Sequence, residues 1–267
     1  MRRRDFIVGL GGAAAVAALL LLATRAQHNR VRALQLQILR LQAVSAAYQI
    51  STFIREIENQ LGLIAQLPWP AGIVDQRTCV SLRQMPAIRR LSVLDSTGKL
   101  HARCEEWGVM PPFPDEIGTD YSQDPKFMVA VAKKVYYGQV YFRGETEPYM
   151  TLAVAGTRRD PLVSIAEVSL KSIWDVMSKI KVGERGQAYV VDANGRLIAH
   201  PDISLILRNT DVTRFAQVQA ARSAGSYPGV EPLRETQDIS GRSVLAAYAP
   251  VTPLGWLVLA ELPVEEA

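Results

Sequence analysis

Two hairpin patterns, nearly a hundred residues apart, constrain this chain more than any other feature. The run YVVDANGRLIAHP (Tyr189–Pro201) places apolar residues on both sides of an Asp-Ala-Asn-Gly-Arg turn, which is typical of a tight β-hairpin. The run LSVLDSTGKLHAR (Leu91–Arg103) has the same arrangement, and its Gly98 aligns with Gly195. A repeat of this length predicts two tandem copies of one small sheet unit, and not a solenoid.

A second match closes each copy. Ala166-Glu167-Val168 aligns with Ala260-Glu261-Leu262 at nearly the same offset. Each unit is therefore predicted to open with a hairpin and to close on a buried strand. The two acids, Glu167 and Glu261, then occupy equivalent positions in the two units.

A long helix is predicted before the first unit. Residues 27–67 contain no proline and one glycine, and their apolar residues recur at intervals of three and four, at Leu34, Ile38, Leu41, Ile50, Phe53, Ile57, Leu61 and Ile64. Such a helix would be about 60 Å long, and Pro68-Trp69-Pro70 would end it. It could serve as a spine for both sheet units or as the seam of a homodimer. A shorter helical segment is predicted over residues 72–90.

The remaining elements give an α+β fold class, with a long N-terminal helix followed by two tandem antiparallel-sheet units. In the first unit we predict a helix over 124–134 and strands over 138–143, 148–155 and 162–168. A connecting helix follows over 169–180. In the second unit we predict a helix over 213–223, a polar loop over 225–237, and strands over 243–250 and 256–262.

Composition excludes several function classes. Hydrophobic residues make up 48% and charged residues 21% of the chain, which is typical of a folded protein. The net charge is +4, but much of the excess lies in the N-terminal arginines, so no nucleic-acid partner is expected. The sequence contains no G-x-S-x-G, P-loop, HExxH or zinc-ligand spacing. We therefore predict no enzyme, no catalytic residues, no metal and no cofactor.

The N-terminus predicts export from the cytoplasm. Arg2, Arg3 and Arg4 precede an uncharged segment over residues 6–23, which would orient the chain with its N-terminus inside. The segment is an inner-membrane anchor, or it is a twin-arginine-like signal that is cleaved near Gln27. Both alternatives place residues 27–267 in the periplasm. In that compartment Cys79 and Cys104, the only two cysteines, can form a disulfide; the alternative is two unpaired thiols.

Several motifs together resemble the bacterial double-Cache sensor domain. They are YSQDPKF (Tyr121–Phe127), the hairpin with its His200-Pro201-Asp202 end, and the closing PLGWLVLAELP. The resemblance runs from about residue 30 to the end. It implies two PAS-like units in tandem, as found outside the membrane in chemoreceptors, histidine kinases and nucleotide cyclases, where the membrane-distal unit binds a small molecule.

The resemblance also implies a division of the chain. Residues 1–26 would be the anchor or signal, 27–87 the helical part, 88–170 the membrane-distal unit, 171–185 the connecting helix and 186–267 the membrane-proximal unit. In such receptors a second membrane helix and a cytoplasmic output module follow, and they are absent from this chain. Signalling would then pass to a partner, or the chain is a fragment of a receptor.

In amino-acid-binding members of the family, an arginine and aromatic residues near the short helix hold the ligand carboxylate, and an acid on the closing strand holds its ammonium group. Here Lys126 and Phe127 replace the arginine and aromatic pair, so a carboxylate clamp would need Lys126 or Arg143, while Glu167 stands at the acid position. Alternation along a strand places Tyr141 and Arg143 on one face. The predicted ligand-binding residues are Tyr121, Lys126, Phe127, Tyr137, Tyr141, Arg143, Tyr149 and Glu167.

The predicted function is an extracytoplasmic small-molecule-sensing domain of a signal-transduction receptor. The alternative is an exported structural or interaction protein that dimerises, or docks to a partner, through its long helix. For the aromatic residues, the corresponding alternative is that they are core or rim side chains. The two functions differ in whether the membrane-distal unit holds a closed pocket lined by Tyr141, Arg143 and Glu167.

Overall fold

The computed structural model describes residues 4–67, 85–105, 116, 118–143, 147–223 and 233–267, with side chains from residue 19 onward and, in the last range, from residue 235. The predicted second helical segment up to residue 84, the proline-rich loop of residues 111–114 and Cys79 lie outside these ranges. The fold class is confirmed: a long helix precedes two antiparallel sheets.

Helix α1 (Arg4–Ala65) is 62 residues long, about 93 Å, and confirms the predicted long helix. Its buried residues recur at helical spacing from Leu36 to Ala65 and face both sheets. The predicted stripe is wrong at its beginning, since Leu34, Ile38 and Leu41 are more than half exposed and lie on a different side of the helix. No helix whose side chains are described is long and apolar enough to cross a membrane. Most of the predicted anchor, residues 6–23, precedes residue 19, where the described side chains begin.

The first sheet contains strands β1 to β6: β1 (Ile88–Leu94), β2 (Leu100–Glu105), β3 (Val135–Tyr137), β4 (Tyr141–Arg143), β5 (Glu147–Ala155) and β6 (Val163–Ser169). The strand order is β2-β1-β6-β5-β3, and β4 pairs with the other end of β5. One face packs on α1 through residues such as Leu91, Leu152 and Ala166. The opposite face carries helix α2 (Pro125–Lys133), whose Phe127 and Ala130 are buried against Ala153 and Val163.

The second sheet contains β7 (Gln187–Val191), β8 (Leu197–Ala199), β9 (Leu233–Gln237), β10 (Ser243–Val251) and β11 (Trp256–Pro263). Its order, β8-β7-β11-β10-β9, repeats the order β2-β1-β6-β5-β3 of the first sheet, in which β4 is an additional strand. Helix α3 (Lys171–Lys179) connects the two sheets, and helices α4 (Ile203–Leu207) and α5 (Ala216–Ser223) belong to the second. The tandem repeat is therefore present in the topology as well as in the sequence.

The two hairpin turns are built alike. Asp95 Oδ1 accepts hydrogen bonds from the backbone N–H groups of Thr97 and Lys99, at 2.8 and 3.0 Å. Asp192 Oδ1 does the same for Asn194 and Arg196, at 2.8 and 2.9 Å. The glycine that follows has φ near +90° in both turns, a conformation that glycine adopts without strain. This shared chemistry explains why the turns were readable from the sequence.

Several predicted boundaries need correction. Residues 88–90, predicted as helix, begin strand β1. Residues 233–237, predicted as loop, form edge strand β9, whose polar sequence LRETQ gives no alternating pattern. The predicted strand over 138–143 is confirmed only for residues 141–143, which form β4, while a separate short strand, β3, lies before it at residues 135–137. His200 lies in the turn after the hairpin: its Nδ1 accepts the Asp202 N–H, and Asp202 caps α4.

Candidate functional site

The face of the first sheet that points away from α1 carries a cluster of charged and aromatic side chains. Strand pairing places Tyr141 opposite Tyr149, and Thr151 opposite Glu167. Residues directly opposite in an antiparallel pair lie on the same face. The core-facing residues of these strands, such as Met150 and Leu152, pack on α1, so the cluster faces the α2 side.

Glu167 is the centre of this cluster. Tyr141 Oη donates a hydrogen bond to Glu167 Oε1 at 3.0 Å, and Arg143 Nη1 lies 3.1 Å from Glu167 Oε2. The second contact is an ion pair without good hydrogen-bond alignment, since Oε2 is buried and receives no directed bond. The Glu167 side chain is 19% exposed and that of Arg143 is 46% exposed. The acid is thus fixed on a strand, while its cationic partner stands at the solvent edge.

The aromatic rings complete the cluster. Tyr141 and Tyr149 stack with ring centroids 6.1 Å apart, and the Arg143 guanidinium lies 5.6 Å from the centroid of the Tyr149 ring. Burial, followed by the charge of Glu167, raises the pKa of Tyr141 to about 12. Tyr141 therefore keeps its proton at neutral pH and acts as a donor to the acid.

A second polar group, centred on Arg103, lies on the same face. Arg103 Nη1 lies 2.7 Å from Glu116 Oε1, and Arg103 Nη2 donates to Tyr121 Oη at 2.9 Å. A longer contact of 3.4 Å joins Arg103 Nε to Ser92 Oγ on the neighbouring strand. The Arg103 side chain is 17% exposed. Sequence reasoning missed Arg103, although its position between the core residues Ala102 and Cys104 places it on the opposite face.

The strand register gives the distance between the two groups. Arg103 pairs with Ser92, Ser92 pairs with Ile165, and Glu167 lies two residues further along the same strand. Two strand spacings of about 4.8 Å and two residues of about 3.3 Å separate the Cα atoms of Arg103 and Glu167 by about 12 Å. Both side chains project from the same face of the sheet, so a guanidinium and a carboxylate lie on one surface of the first unit.

The structure does not bring all the predicted ligand-binding residues together. Tyr137 is on the other face, where its hydroxyl donates to Glu58 of α1 at 2.8 Å; burial and this carboxylate raise its pKa. Phe127 is buried between α2 and the sheet. Lys126 lies at the start of α2, with Nζ 3.4 Å from Asp124 Oδ2, and is not part of a carboxylate clamp within the described residues. Tyr121, Tyr141, Arg143, Tyr149 and Glu167 remain on the α2 side.

The cysteine prediction is partly outside the described residues. Cys104 is buried near the end of β2 and is disulfide-bonded. Cys79 is not described, so the predicted pairing stays a prediction. Among the residues that the structure describes, no group of His, Cys, Asp and Glu side chains could hold a metal ion.

Two sheets of identical strand order on one long helix, each with a helix on its outer face, define a tandem sensor-domain architecture. A family model described as a Cache domain matches residues 23–267. The chain belongs to the Cache domain family, and the predicted class, an extracytoplasmic small-molecule-sensing domain, is confirmed. No curated protein sequence matches this one.

Solved structures share the fold. The ligand-binding domain of the Pseudomonas fluorescens chemoreceptor CtaA, in complex with L-isoleucine, is 18% identical with a TM-score of 0.58, over 90% of this chain and 96% of that one. The ligand-binding domain of the Pseudomonas aeruginosa amino-acid chemoreceptor PctC, in complex with GABA, is 17% identical with a TM-score of 0.55, over 81% of this chain and 95% of that one. The extracellular domain of a histidine kinase is 16% identical with a TM-score of 0.59, over 87% and 96%.

Proposed function

We propose that the first unit binds an amino acid or a related small zwitterion on the α2 side of its sheet. The observation that carries this proposal is that Arg103 and Glu167 lie on one face of the sheet, with their Cα atoms about 12 Å apart. A carboxylate would meet the guanidinium of Arg103 and the hydroxyl of Tyr121 at one end. An ammonium group would meet Glu167 at the other, displacing Arg143, which is half exposed and free to swing toward solvent.

The ligands bound to relatives support the same chemistry. L-Isoleucine and GABA, which are bound to two of the structural relatives, each carry an amino group and a carboxylate. The stacked rings of Tyr141 and Tyr149 form an aromatic surface beside Glu167. Small-molecule sites are mostly apolar or aromatic with a few polar groups, and this cluster has that composition. No step of this proposal needs a catalytic group, and we propose that the chain acts by binding alone.

The test is a thermal-shift screen of the purified chain against amino acids, simple carboxylates and simple amines. A ligand that binds only the folded state stabilises it by about 2.7 kcal/mol at a hundredfold excess over its dissociation constant. The proposal expects zwitterions to raise the melting temperature, and Glu167→Gln and Arg103→Met each to abolish the shift. Asp175→Asn, an exposed acid on α3, is the matched control and should keep it.

The outcomes separate the ligand classes. A shift with amines that depends on Glu167 and not on Arg103 would replace the zwitterion by an amine. A shift with carboxylates that depends on Arg103 alone would replace it by an acid. If a cooperatively folding sample shows no shift with any compound, the proposal of a zwitterion site between Arg103 and Glu167 fails.

We also propose that the chain forms a parallel homodimer through the outer side of α1. The exposed residues on this side repeat at alternating intervals of three and four, which is the heptad pattern of a two-stranded coiled coil. They are Val31, Leu34, Ile38, Leu41, Ser45 and Tyr48. Sedimentation analysis should show a dimer that Leu41→Glu dissociates and Ala33→Glu, an exposed position outside the stripe and its two flanks, leaves intact. A monomeric native chain at micromolar concentration would contradict this proposal.

For localisation, we propose that residues 6–23 anchor the chain in the inner membrane and that residues 27–267 lie in the periplasm. The support is the arginine-flanked uncharged segment and the extracellular domain among the relatives. Expressed with and without residues 1–26, only the longer chain should stay with membranes after alkaline extraction. Release of the longer chain, together with a smaller apparent mass, would favour the cleaved twin-arginine signal.

The route from ligand to partner is proposed from the contacts of α3. Strand β6 leads through buried Leu170 into α3, and the Trp174 indole N–H donates to the carbonyl of Ile198 at 2.8 Å. After α3, the carboxylate of Glu266 accepts the backbone N–H groups of Glu184 and Arg185, at 2.9 and 3.0 Å. A shift of β6 would therefore reach both the second hairpin and the end of β11, and from there an output partner. Trp174→Phe, which removes the link to Ile198, should weaken signalling without changing ligand affinity.

A further inference from the structure

A buried acid in the second unit has no role in the proposed ligand site. Glu261, in β11, is 1% exposed. Its Oε1 accepts hydrogen bonds from Tyr189 Oη and, at 2.8 Å, from Gln217 Nε2, and its Oε2 accepts one from Gln187 Nε2 at 3.2 Å. Gln217 is itself held in place, since Thr236 Oγ1 donates to its Oε1 at 2.8 Å. The acid is thus saturated by donors from β7 and α5.

The strand register shows which residues of the first unit correspond to this cluster. Glu261 lies opposite Gln187 on one side, as Glu167 lies opposite Arg90. Two residues along the same pair of strands, Tyr189 lies opposite Leu259, as Ser92 lies opposite Ile165. Tyr189 therefore occupies the position of Ser92, on the same face as the acid.

The exchange of serine for tyrosine changes what this face can hold. In the first unit the Ser92 side chain is only a hydroxymethyl group, and the space above it is reached by Arg103. In the second unit a phenol ring stands there, fully buried among Val191, Val218 and Leu259. A tyrosine ring fills roughly the volume of a small aromatic molecule.

The acids of the two units also differ in where their partners come from. Glu167 is held by Tyr141 and Arg143 of the edge strand β4, and Arg143 is half exposed. The partners of Glu261 are internal: Tyr189 and Gln217 are both fully buried. Asp238, whose negative charge also acts on Glu261, is paired with Arg242 at 2.7 Å. A buried carboxylate needs such donors, and here the protein's own side chains supply them.

We propose that the second unit contains a closed copy of the first unit's ligand site, in which the phenol of Tyr189 and the amide of Gln217 take the places of a bound molecule. Removing the phenol opens a cavity beside Glu261 that accepts a free phenol. The comparison with a ligand site rests on the proposed function. The filled space beside Glu261 does not rest on it, and its test uses no ligand of the first unit.

The test is thermal unfolding of the full chain carrying Tyr189→Ala, with and without p-cresol, the isolated side chain of tyrosine. At about ten times its dissociation constant, p-cresol should raise the melting temperature by about 2 °C or more. It should not stabilise the native chain or Tyr189→Phe, in which a ring still fills the space.

A second probe tests the part played by the acid. Toluene has the shape of p-cresol without its hydroxyl group, so it should stabilise Tyr189→Ala less, because Glu261 then lacks a donor. Equal effects of toluene and p-cresol would show an apolar hole and overturn the assignment of Glu261 as the recognition group. No effect of p-cresol on a folded Tyr189→Ala chain, or an equal effect on the native chain, would overturn the closed site.

Tyr189→Phe keeps the test decisive if Tyr189→Ala does not fold. Loss of the hydroxyl removes one donor from the Glu261 carboxylate, so the pKa of Glu261 should rise further. Carbon-13 NMR of labelled glutamate, with the Glu261→Gln spectrum to assign the signal, measures this pKa directly. A pKa of Glu261 that is the same in the native chain and in Tyr189→Phe would refute the proposal.

Discussion

Replacing Glu261 tests how much its buried network contributes to stability. In Glu261→Ala the hydroxyl of Tyr189, which is fully buried, loses its acceptor. Gln217 still donates to the carbonyl of Gln237 at 3.0 Å, and Gln187 is only half buried and can bond to water. The unpaired hydroxyl lowers the free energy of unfolding by about 1–3 kcal/mol, and the cavity lowers it by about 1 kcal/mol more. Removal of a buried charge offsets part of this loss. We expect a net loss of about 2 kcal/mol.

Glu261→Gln should be much milder and should change the pH dependence. The amide keeps an oxygen for Tyr189 and Gln217, and the side-chain amide of Gln187 can turn to accept from its NH₂ group. Burial raises the pKa of Glu261 above its ordinary value of 4.5. The folded chain therefore holds this proton more tightly than the unfolded chain. Stability is lost as the pH rises from about 4.5 through the folded-state pKa, by about 1.4 kcal/mol for each tenfold difference in dissociation constant.

Urea unfolding of the native chain and both variants between pH 4 and pH 8 measures these effects. The native chain should lose stability relative to Glu261→Gln across the interval above pH 4.5, and the difference should then level off. For Glu261→Ala, a loss of about 2 kcal/mol corresponds to roughly 4–8 °C in melting temperature at this chain length. Parallel pH profiles for the native chain and Glu261→Gln, or a loss below 0.5 kcal/mol in Glu261→Ala, would refute the reasoning.

Two further changes test the first unit and its contact with α1. Burial, followed by the charge of Glu167, raises the pKa of Tyr141 to about 12. Glu167→Gln removes this charge, so the pKa of Tyr141 should fall toward 10 in a phenolate absorbance titration. An unchanged pKa of Tyr141 would show that the two side chains do not interact. Gly156→Ala would place a Cβ 2.3 Å from the carbonyl oxygen of Ala65, so it should cost more than about 1 kcal/mol in urea unfolding. Gly62→Ala, inside α1 with its nearest contact at 3.9 Å, should instead stabilise the chain by up to about 1 kcal/mol, and equal effects at the two glycines would contradict this account.

Features set by local chemistry could be predicted from the sequence. The Asp95 and Asp192 turns depend on side chains bonding to backbone two and four residues away, and the cap at Asp124 depends on the two residues that follow it. Glu167 was predicted because it stands at the acid position of the closing strand in the family that the chain resembles. Its contacts with Tyr141 and Arg143 follow from strand alternation.

What was missed depends on residues distant in the sequence. Arg103 belongs to the site because it contacts Glu116 and Tyr121, which are 13 and 18 residues away. No rule of sequence spacing predicts these contacts. Tyr137 was assigned to the ligand face because only aromatic content was read, whereas the partner that holds it, Glu58, is 79 residues earlier. Edge strand β9 was missed because a polar strand at the rim of a sheet carries no burial pattern.

The continuous buried stripe of α1 restricts how the two sheets can move against each other. One helix packs on both sheets between Leu36 and Ala65, so any displacement of one sheet along it must repack the same row of side chains. Sliding by one residue advances the helix by about 1.5 Å but rotates it by about 100°, which turns the apolar row away from its groove. The row meets its grooves again only after about one turn, 5.4 Å further on. Sub-ångström shifts of a strand must therefore reach the far end of the chain as a tilt of the helix, or as a jump of a whole turn, with no stable position between.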